Sequence, residues 1–453
     1  MCAGEYSEIG GQSQVFYLLS CFGVAKLDNA VTIRRSSDME MRKKKIMLLG
    51  GLRYLLPVIE TAHRLGLHVI TCDYLPNNIA HKYSDEYHNV SIIDKEAVLK
   101  LAQQLEIDGI MSFAVDPGVV TAAYVAEQMG LPNVGPYESV CILQDKARFR
   151  EFLREHNFNC PWSYGFDSVE AAIHSSEKIT YPAIVKPTDA AGSKGVTRVD
   201  CIDQLPSALH FAMQNSLSGT IIVEEFIEKV GDATGSDSFV ADGRFEFYSF
   251  DDQHFDHASP NPYTPSAHSW PSTMQPDKQE ELKKELQRLV SLLGMRNGVF
   301  NIEARVGANG KVYIMEVSPR GGGNRLSEVL CMATGVDLIG NAVRACVGLP
   351  LDGVEQKPYD GAWAIIMLHS EKNGVLEQIV YHEELVDHIV ASDLLVHPGA
   401  AVQAFKGANA AIGHLIVRFD NVVECRKMVN NISEYVDVVV KENTCALCQG
   451  KRI

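Results

Sequence analysis

The chain has 453 residues, 46% hydrophobic and 22% charged, an ordinary globular mixture with room for two to four domains. Its 57 acidic against 41 basic residues leave a net charge of −16, which argues against nucleic acid or an anionic membrane as main partner. No apolar run reaches the ~18 residues of a membrane span, and 11 cysteines without a paired framework suggest reduced thiols in a cytoplasmic protein.

Residues 1–44 fit none of the elements that follow. The apolar run 15–25 is about the length of a signal-peptide core, but Glu5 and Glu8 precede it and no Lys or Arg does. Met39 and Met41 lie just ahead of the first convincing strand, so an extension or a misassigned start is expected. From there the pattern alternates. Residues 46–51 read as a buried strand ending in a glycine turn, 55–65 as a helix, 67–73 and 107–113 as strands, and 119–129 as a helix. This predicts a parallel α/β domain over 45–135. Ligands bind beyond the carboxyl ends of such strands, so the loops 51–54, 73–77 and 114–118 should line one side of a cleft. The glycines do not form G-x-G-x-x-G, which speaks against a dinucleotide site.

The Pro- and Gly-containing stretch 131–136 opens a second domain, expected over 136–355. A helix is predicted at 145–155, a short buried strand at 182–187, a glycine loop at 190–195 and a strand at 221–227, with a glycine-loop subdomain over about 145–225. The stretch 251–276, rich in His, Pro and aromatics, reads as a long functional loop. A helix over 277–293 follows, with Asp277 as its N-cap. Residues 356–453 alternate strand and turn signals, with a helix near 421–432, and are expected to form a C-terminal α+β domain. Cys445 and Cys448 form a lone C-x-x-C, weak evidence for metal or redox chemistry.

The most informative segment is the hairpin 301–320. Asn309-Gly310 signals a two-residue type I′ turn. That turn pairs Ala308 with Lys311 and, counting back, Glu303 with Glu316 and Asn301 with Ser318. Asn301, Glu303, Arg305, Ile314, Glu316 and Ser318 then share one face; Phe300, Ile302, Ala304, Tyr313, Met315 and Val317 share the other. Opposed carboxylates destabilise a ladder unless a cation lies between them. With no Cys or His nearby, Mg²⁺ is the expected cation.

Other pieces are individually weak. Gly192 and Gly195 let backbone N–H groups approach phosphate, and Ser193 and Lys194 lie between them, but the loop lacks the P-loop pattern. Lys146 and Lys186 resemble ordinary surface lysines when taken singly. The end of the 221–227 strand offers backbone groups to an adenine edge, and Asp237 could hold ribose hydroxyls.

The order of these pieces is specific. A Lys, strand-Lys-Pro, Gly-Ser-Lys-Gly, Glu-Glu-Phe-Ile, an acid, Asn-Ile-Glu-Ala-Arg and Met-Glu-Val-Ser-Pro-Arg-Gly-Gly-Gly resemble the ATP-grasp superfamily over residues 45–350. The likeness is greatest to its carbamoyl-phosphate-synthetase-like and L-amino-acid ligase branch, with 356–453 similar to the domain often appended to those ligases. The resemblance implies an ATP-grasp fold, α/β and α+β, behind a parallel pre-ATP-grasp domain. It implies ATP and Mg²⁺ as cofactors, two ions being usual and Mn²⁺ an acceptable substitute. Lys146 and Lys186 would contact the α- and β-phosphates, and residues 191–195 would close over them. Glu224 would lie by the adenine amino group, with Glu225, Phe226 and Ile227 along the adenine edge, and Asp237 would hold the ribose. Glu303 and Glu316 would ligate metal, and Arg320 would stabilise the transferring phosphoryl group. The family usually carries Asn where this chain has Ser318; Asn301, across the ladder, or a water on Ser318 would complete the metal shell.

The implied activity is ATP-dependent ligation of a small carboxylate, such as an amino acid, to an amine through an acyl phosphate, by a protein compatible with a homodimer. Lys194 and Arg305 are further catalytic candidates. His254, His257 and His268, with Tyr263 and Trp270 nearby, are substrate candidates, as are Gly322 and Gly323. Two alternatives stay open: activation of bicarbonate, as in carboxylases and carbamoyl-phosphate synthetases, and a catalytically silent ATP-binding sensor, which only Ser318 supports.

Overall fold

Four strands, β1 (Lys45–Leu49), β2 (His68–Cys72), β3 (Glu86–His88) and β4 (Gly109–Ser112), form a parallel sheet ordered β3-β2-β1-β4. Its central strand is apolar on both faces because helices cover both. Ile46 and Leu48 pack against Val58 and Ile59 of the helix Leu56–Arg64; Met47 and Leu49 pack against Val98 and Val125 on the other side. β4 runs out into a loop carrying Asp116, where the strand ends were expected to line a cleft.

This computed structural model describes residues 42–190 and 192–442. The expectations for the N-terminal extension, for position 191 and for Cys445 and Cys448 lie outside the described residues. Those from Lys43 onward form one compact unit. No single helix among the described residues is long and apolar enough to cross a membrane.

The next sheet is antiparallel, β5-β8-β6-β7, from β5 (Ser163–Phe166), β6 (Ala183–Pro187), β7 (Thr197–Val199) and β8 (Ile221–Glu225). Val185 and Val223 bury against Leu205 and Leu209 of the helix Leu205–Gln214. Then come β9 (Thr234–Ala241), β10 (Arg244–Phe247), β11 (Asp252–Phe255), β12 (Pro265–Trp270), β13 (Gly298–Val306) and β14 (Val312–Ser318). β10-β9-β13-β14 form a sheet whose core face, with Phe300 and Ile302, packs on Leu282, Leu286 and Leu289 of the helix Pro276–Leu292. That helix begins at Pro276, so Gln275 and not Asp277 is its N-cap; Asp277 sits in the first turn, where its charge still complements the helix dipole.

β15 (Ala362–Leu368), β16 (Gly374–Tyr381), β17 (Ile389–Leu394), β18 (Ala401–Val402), β19 (Gly413–Phe419) and β20 (Val436–Lys441) complete the fold. They form a five-stranded sheet, β11-β12-β15-β19-β17, and a three-stranded one, β18-β16-β20. Two expectations need correction. The stretch 251–276 is not one loop, because it contains β11 and β12. These strands escape hydrophobic patterning because His254, His268 and Ser269 are buried against polar partners. The boundary near 356 also does not separate independent sheets, since Ala267–Trp270 pair with Trp363–Ile366 across it.

Candidate active site

The hairpin of β13 and β14 sets the site. Glu303 pairs with Glu316, and Asn301 with Ser318, as the sequence predicts, but by a different route. The tip is a three-residue loop. Gly310 N–H donates to Gly307 O, Gly307 N–H donates to Lys311 O, and Gly310 takes a φ of +75°. This is a type I turn closed by a left-handed glycine, not a type I′ turn. It shifts the register by one residue, and Ala304 pairs with Ile314. An extra residue at Met315, a β-bulge, restores the register at the glutamates. Between bulge and tip the faces of β14 therefore exchange. Ile314 joins the core, while Tyr313 and Met315 cluster with Ile227, and Met315 reaches the cleft.

The cleft measures about 1830 Å³ and is bounded by loops of the parallel sheet, the β5–β8 sheet, the hairpin and the C-terminal sheets. Lys146, Lys186, Gly192, Ser193, Lys194, Glu224, Glu225, Phe226, Ile227, Asn301, Glu303, Arg305, Glu316, Arg320, Gly323, His254, His257 and His268 all line it. Gly195, Asp237, Ser318, Gly322 and Trp270 do not.

Lys146 is placed by capping. The Asp145 carboxylate accepts from Ala147 N and Arg148 N, both at 2.9 Å, so the helix Lys146–Glu155 starts with Lys146 facing the hairpin. Its Nζ lies 3.2 Å from Glu316 Oε2 and donates to Ala190 O at 3.0 Å. One turn further on, Arg150 is fully buried and donates from Nε to Glu224 Oε2 at 2.9 Å. Lys186 Nζ holds the other oxygen of Glu224. Burial opposes ionisation of Glu224, but Arg150 and Lys186 outweigh it and hold its carboxyl down at about 2. Both of its oxygens are engaged, so Glu224 is the hub of an ion cluster and not a free adenine contact. The neighbouring backbone is better placed: Ile227 N–H has no partner among the described residues, and Phe226, covered by Arg198 at 4.3 Å, lines the wall.

Glu303 is the reverse case. Burial and the facing Glu316 push its carboxyl up, and Arg305, Lys146 and Lys186 only partly offset them. Neither Glu303 nor Glu316 forms an ion pair with Arg305, whose Nε is buried without a partner. Lys194 lines the cleft without an ion pair among the described residues.

Arg320 is clamped by Asp116. Nη2 donates to both carboxylate oxygens at 2.7 Å, and Nε donates to Oδ1 at 2.9 Å. Ser318 belongs to this clamp: its hydroxyl donates to Asp116 Oδ1 at 3.0 Å and accepts from Gln144 Nε2 at 2.8 Å. At 1% exposure it does not line the cleft, and its hydroxyl is engaged in this clamp. Asp237 is also corrected. It is fully buried and accepts from Ser327 Oγ at 2.5 Å, Gly322 N at 2.8 Å and Asn301 Nδ2 at 3.0 Å, so it braces the hairpin and cannot reach a ribose. A Cβ at Gly322 would meet Asn301 Nδ2 at 2.7 Å, so that glycine serves close packing and not substrate contact. Gly195 closes its loop, φ +73°, against Pro187 and Asn215.

The histidines differ from one another. Both ring nitrogens of His254 are occupied, by Asn430 Oδ1 at 2.9 Å and Ser269 Oγ at 2.8 Å. His257 only lines the cleft. His268 Nδ1 lies 2.5 Å from Asp251 Oδ2, leaving Nε2 without a partner among the described residues. The other oxygen of Asp251 accepts from Gly235 N at 2.5 Å, and Gly235 is the cross-strand neighbour of Glu303. Trp270 is buried, its indole N–H shared between Ser236 and Ser249.

Asp116, Gln144, Arg150 and Asp251 were not singled out from sequence. Only Arg150 left a local signal there, on the same helix face as Lys146 one turn away.

Residues 179–328, from β6 through both glutamates to Arg320, match the family model described as an ATP-grasp domain. This stretch is an ATP-grasp domain. The chain is 28% identical to a formate-dependent phosphoribosylglycinamide formyltransferase of Synechococcus sp., over 41% of the chain and 47% of the relative. It is 26% identical to the carbamoyl phosphate synthase large chain of Thermotoga neapolitana, over 56% of the chain and 23% of the relative. The chain thus spans about half of the first relative and a quarter of the second. In three dimensions its ATP-grasp fold superposes on an L-amino acid ligase from Bacillus licheniformis with a TM-score of 0.74 at 20% identity, covering 89% of the chain and all of the ligase.

Proposed function

We propose that the protein is an ATP-dependent carboxylate–amine ligase that activates its carboxylate substrate as an acyl phosphate. The observation that carries this reading is the opposed pair Glu303 and Glu316, set in one cleft with Lys146, Lys186 and Arg320. Two facing carboxylates with one ammonium on one of them form an all-oxygen donor set short of positive charge, which suits Mg²⁺. Mg²⁺ held by Glu303 and Glu316 would screen charge between the polyphosphate and the attacking carboxylate. The Asn301 amide is the third candidate donor. Its Nδ2 is committed to Asp237, which leaves Oδ1 as the atom available to a metal, and Asn301 lines the cleft.

The chain's own groups supply the rest. Lys146, Lys186 and Lys194 face the ATP phosphates, and Ile227 N–H and the backbone of Glu225 face adenine. Arg320, whose guanidinium plane is fixed by Asp116, meets charge developing on the transferring phosphoryl group. The amine that attacks the acyl phosphate must lose a proton; His268, which lines the cleft with Nδ1 tied to Asp251 and Nε2 uncommitted among the described residues, is our candidate acceptor.

Phosphate release with Mg²⁺-ATP across amino acids, singly and in pairs, tests the reading. Release that needs a carboxylate and an amine supports it. Release driven by bicarbonate alone supports the carboxylase alternative, which the carbamoyl phosphate synthase relative keeps in view. ATP binding without phosphate release across the whole panel would support the silent-sensor alternative.

A further inference from the structure

We infer that Lys146 occupies the metal's place on the glutamate pair, so that a divalent cation enters efficiently only together with nucleotide. The inference rests on the reading of Glu303 and Glu316 as metal ligands. Among the described residues, Lys146 is the only cation in ion-pair contact with either glutamate, at 3.2 Å from Glu316. The contact is sheltered, with the lysine side chain 14% exposed and the glutamate 29%. It neutralises one carboxylate of an opposed pair that would otherwise repel across the ladder.

A cation arriving alone must evict this ammonium. Lys146 would keep one neutral partner, Ala190 O, in a wall that also carries Lys186 and Arg305. Stripping a sheltered charge of its counter-ion is unfavourable, so the eviction opposes metal entry. A polyphosphate removes the obstacle. Lys146, Lys186 and Lys194 line the same cleft, and Lys146 can turn from Glu316 to phosphate oxygens while the carboxylates turn to metal. By linkage, nucleotide and metal then strengthen each other's binding by one common factor.

The test is Mn²⁺ binding followed by electron paramagnetic resonance, which needs no turnover. Without nucleotide, Lys146→Met should bind Mn²⁺ about tenfold tighter than wild type, within the usual range of coupling between sites. Adding Glu303→Gln to that variant should erase the gain. Mn²⁺ affinity in Lys146→Met equal to or weaker than wild type would overturn the inference. In wild type with ADP, Glu303→Gln should weaken the protein-bound Mn²⁺ signal. If it does not, the metal reading itself fails along with the inference. Lys146→Gln, which keeps a donor for Ala190 O, carries the same expectation should the methionine variant not fold.

Discussion

Glu224 and Glu303 line the same cleft and lie in opposite electrostatic states. Glu224 is clasped by Arg150 and Lys186, and its carboxyl is held at about 2. Glu303 faces another carboxylate, and its carboxyl is pushed up by burial and by Glu316. The first is a completed ion cluster whose charges balance within the protein. The second has a deficit of positive charge that only something from outside can supply. Acidity alone does not mark a functional carboxylate; a missing counter-charge does.

The sharpest test of this contrast separates activity from stability. Glu316→Gln should lower kcat by about 10³-fold, comparable to losing a main electrostatic contact in a transition state. Its melting temperature should change little, because relief of the repulsive pair offsets the loss of the sheltered Lys146–Glu316 ion pair. Phosphate release and a thermal melt on the same preparation measure both. Full activity in the folded variant would end the metal reading. Glu224→Gln should cost far more stability, since it leaves two cations, Arg150 and Lys186, buried without a carboxylate and relieves no repulsion, at about 3–5 kcal/mol by urea unfolding. Glu303→Gln should cost nothing comparable.

The pH dependence should divide the two residues in the same way. The ordinary value for Glu224 is 4.5 and its folded value about 2, so the unfolded chain binds this proton more tightly. The resulting stabilisation, about 3 kcal/mol, is complete above pH 4.5 and is lost as pH falls toward 2. The Glu303 value is raised, so the folded chain binds that proton more tightly. Stability linked to it is present at low pH and is lost as pH rises from 4.5 through the raised value. The wild-type advantage over Glu224→Gln should therefore grow between pH 2 and 5, while Glu303→Gln should gain on wild type above pH 4.5. Urea midpoints measured across that range decide it.

The parallel sheet was legible in the sequence because its buried strands are continuous apolar runs between amphipathic helices. β11 and β12 were not, because their buried positions hold His254, His268 and Ser269, whose partners are distant in sequence or on the facing strand. The site divides similarly. Lys146, Lys186 and the two glutamates stand in one ordered run of short segments. Asp116 and Asp251 act through hydrogen bonds to Arg320 and His268, and no local pattern announces such a partnership. Ser318 and Asp237 are the instructive cases: each has a suitable side chain on a suitable strand, and each turns out to be committed to protein neighbours.

The hairpin register was right at the glutamates although the predicted turn was wrong, since the one-residue shift at the tip and the bulge at Met315 cancel. The glutamate end of β13 is also pinned independently by β9, with Asn301 opposite Asp237 and Glu303 opposite Gly235. The tip should therefore be energetically separate from the site. Gly310→Ala tests this with a small perturbation. A Cβ there meets nothing within 4 Å, so the only penalty is a left-handed backbone at φ +75°, about 1 kcal/mol of stability. kcat and the Mg²⁺ dependence should stay within about twofold of wild type, because roughly 1 kcal/mol at the tip cannot undo two pinned strands. A larger change in either would mean that the tip sets the register of Glu303 and Glu316, with the bulge as its follower and not its buffer.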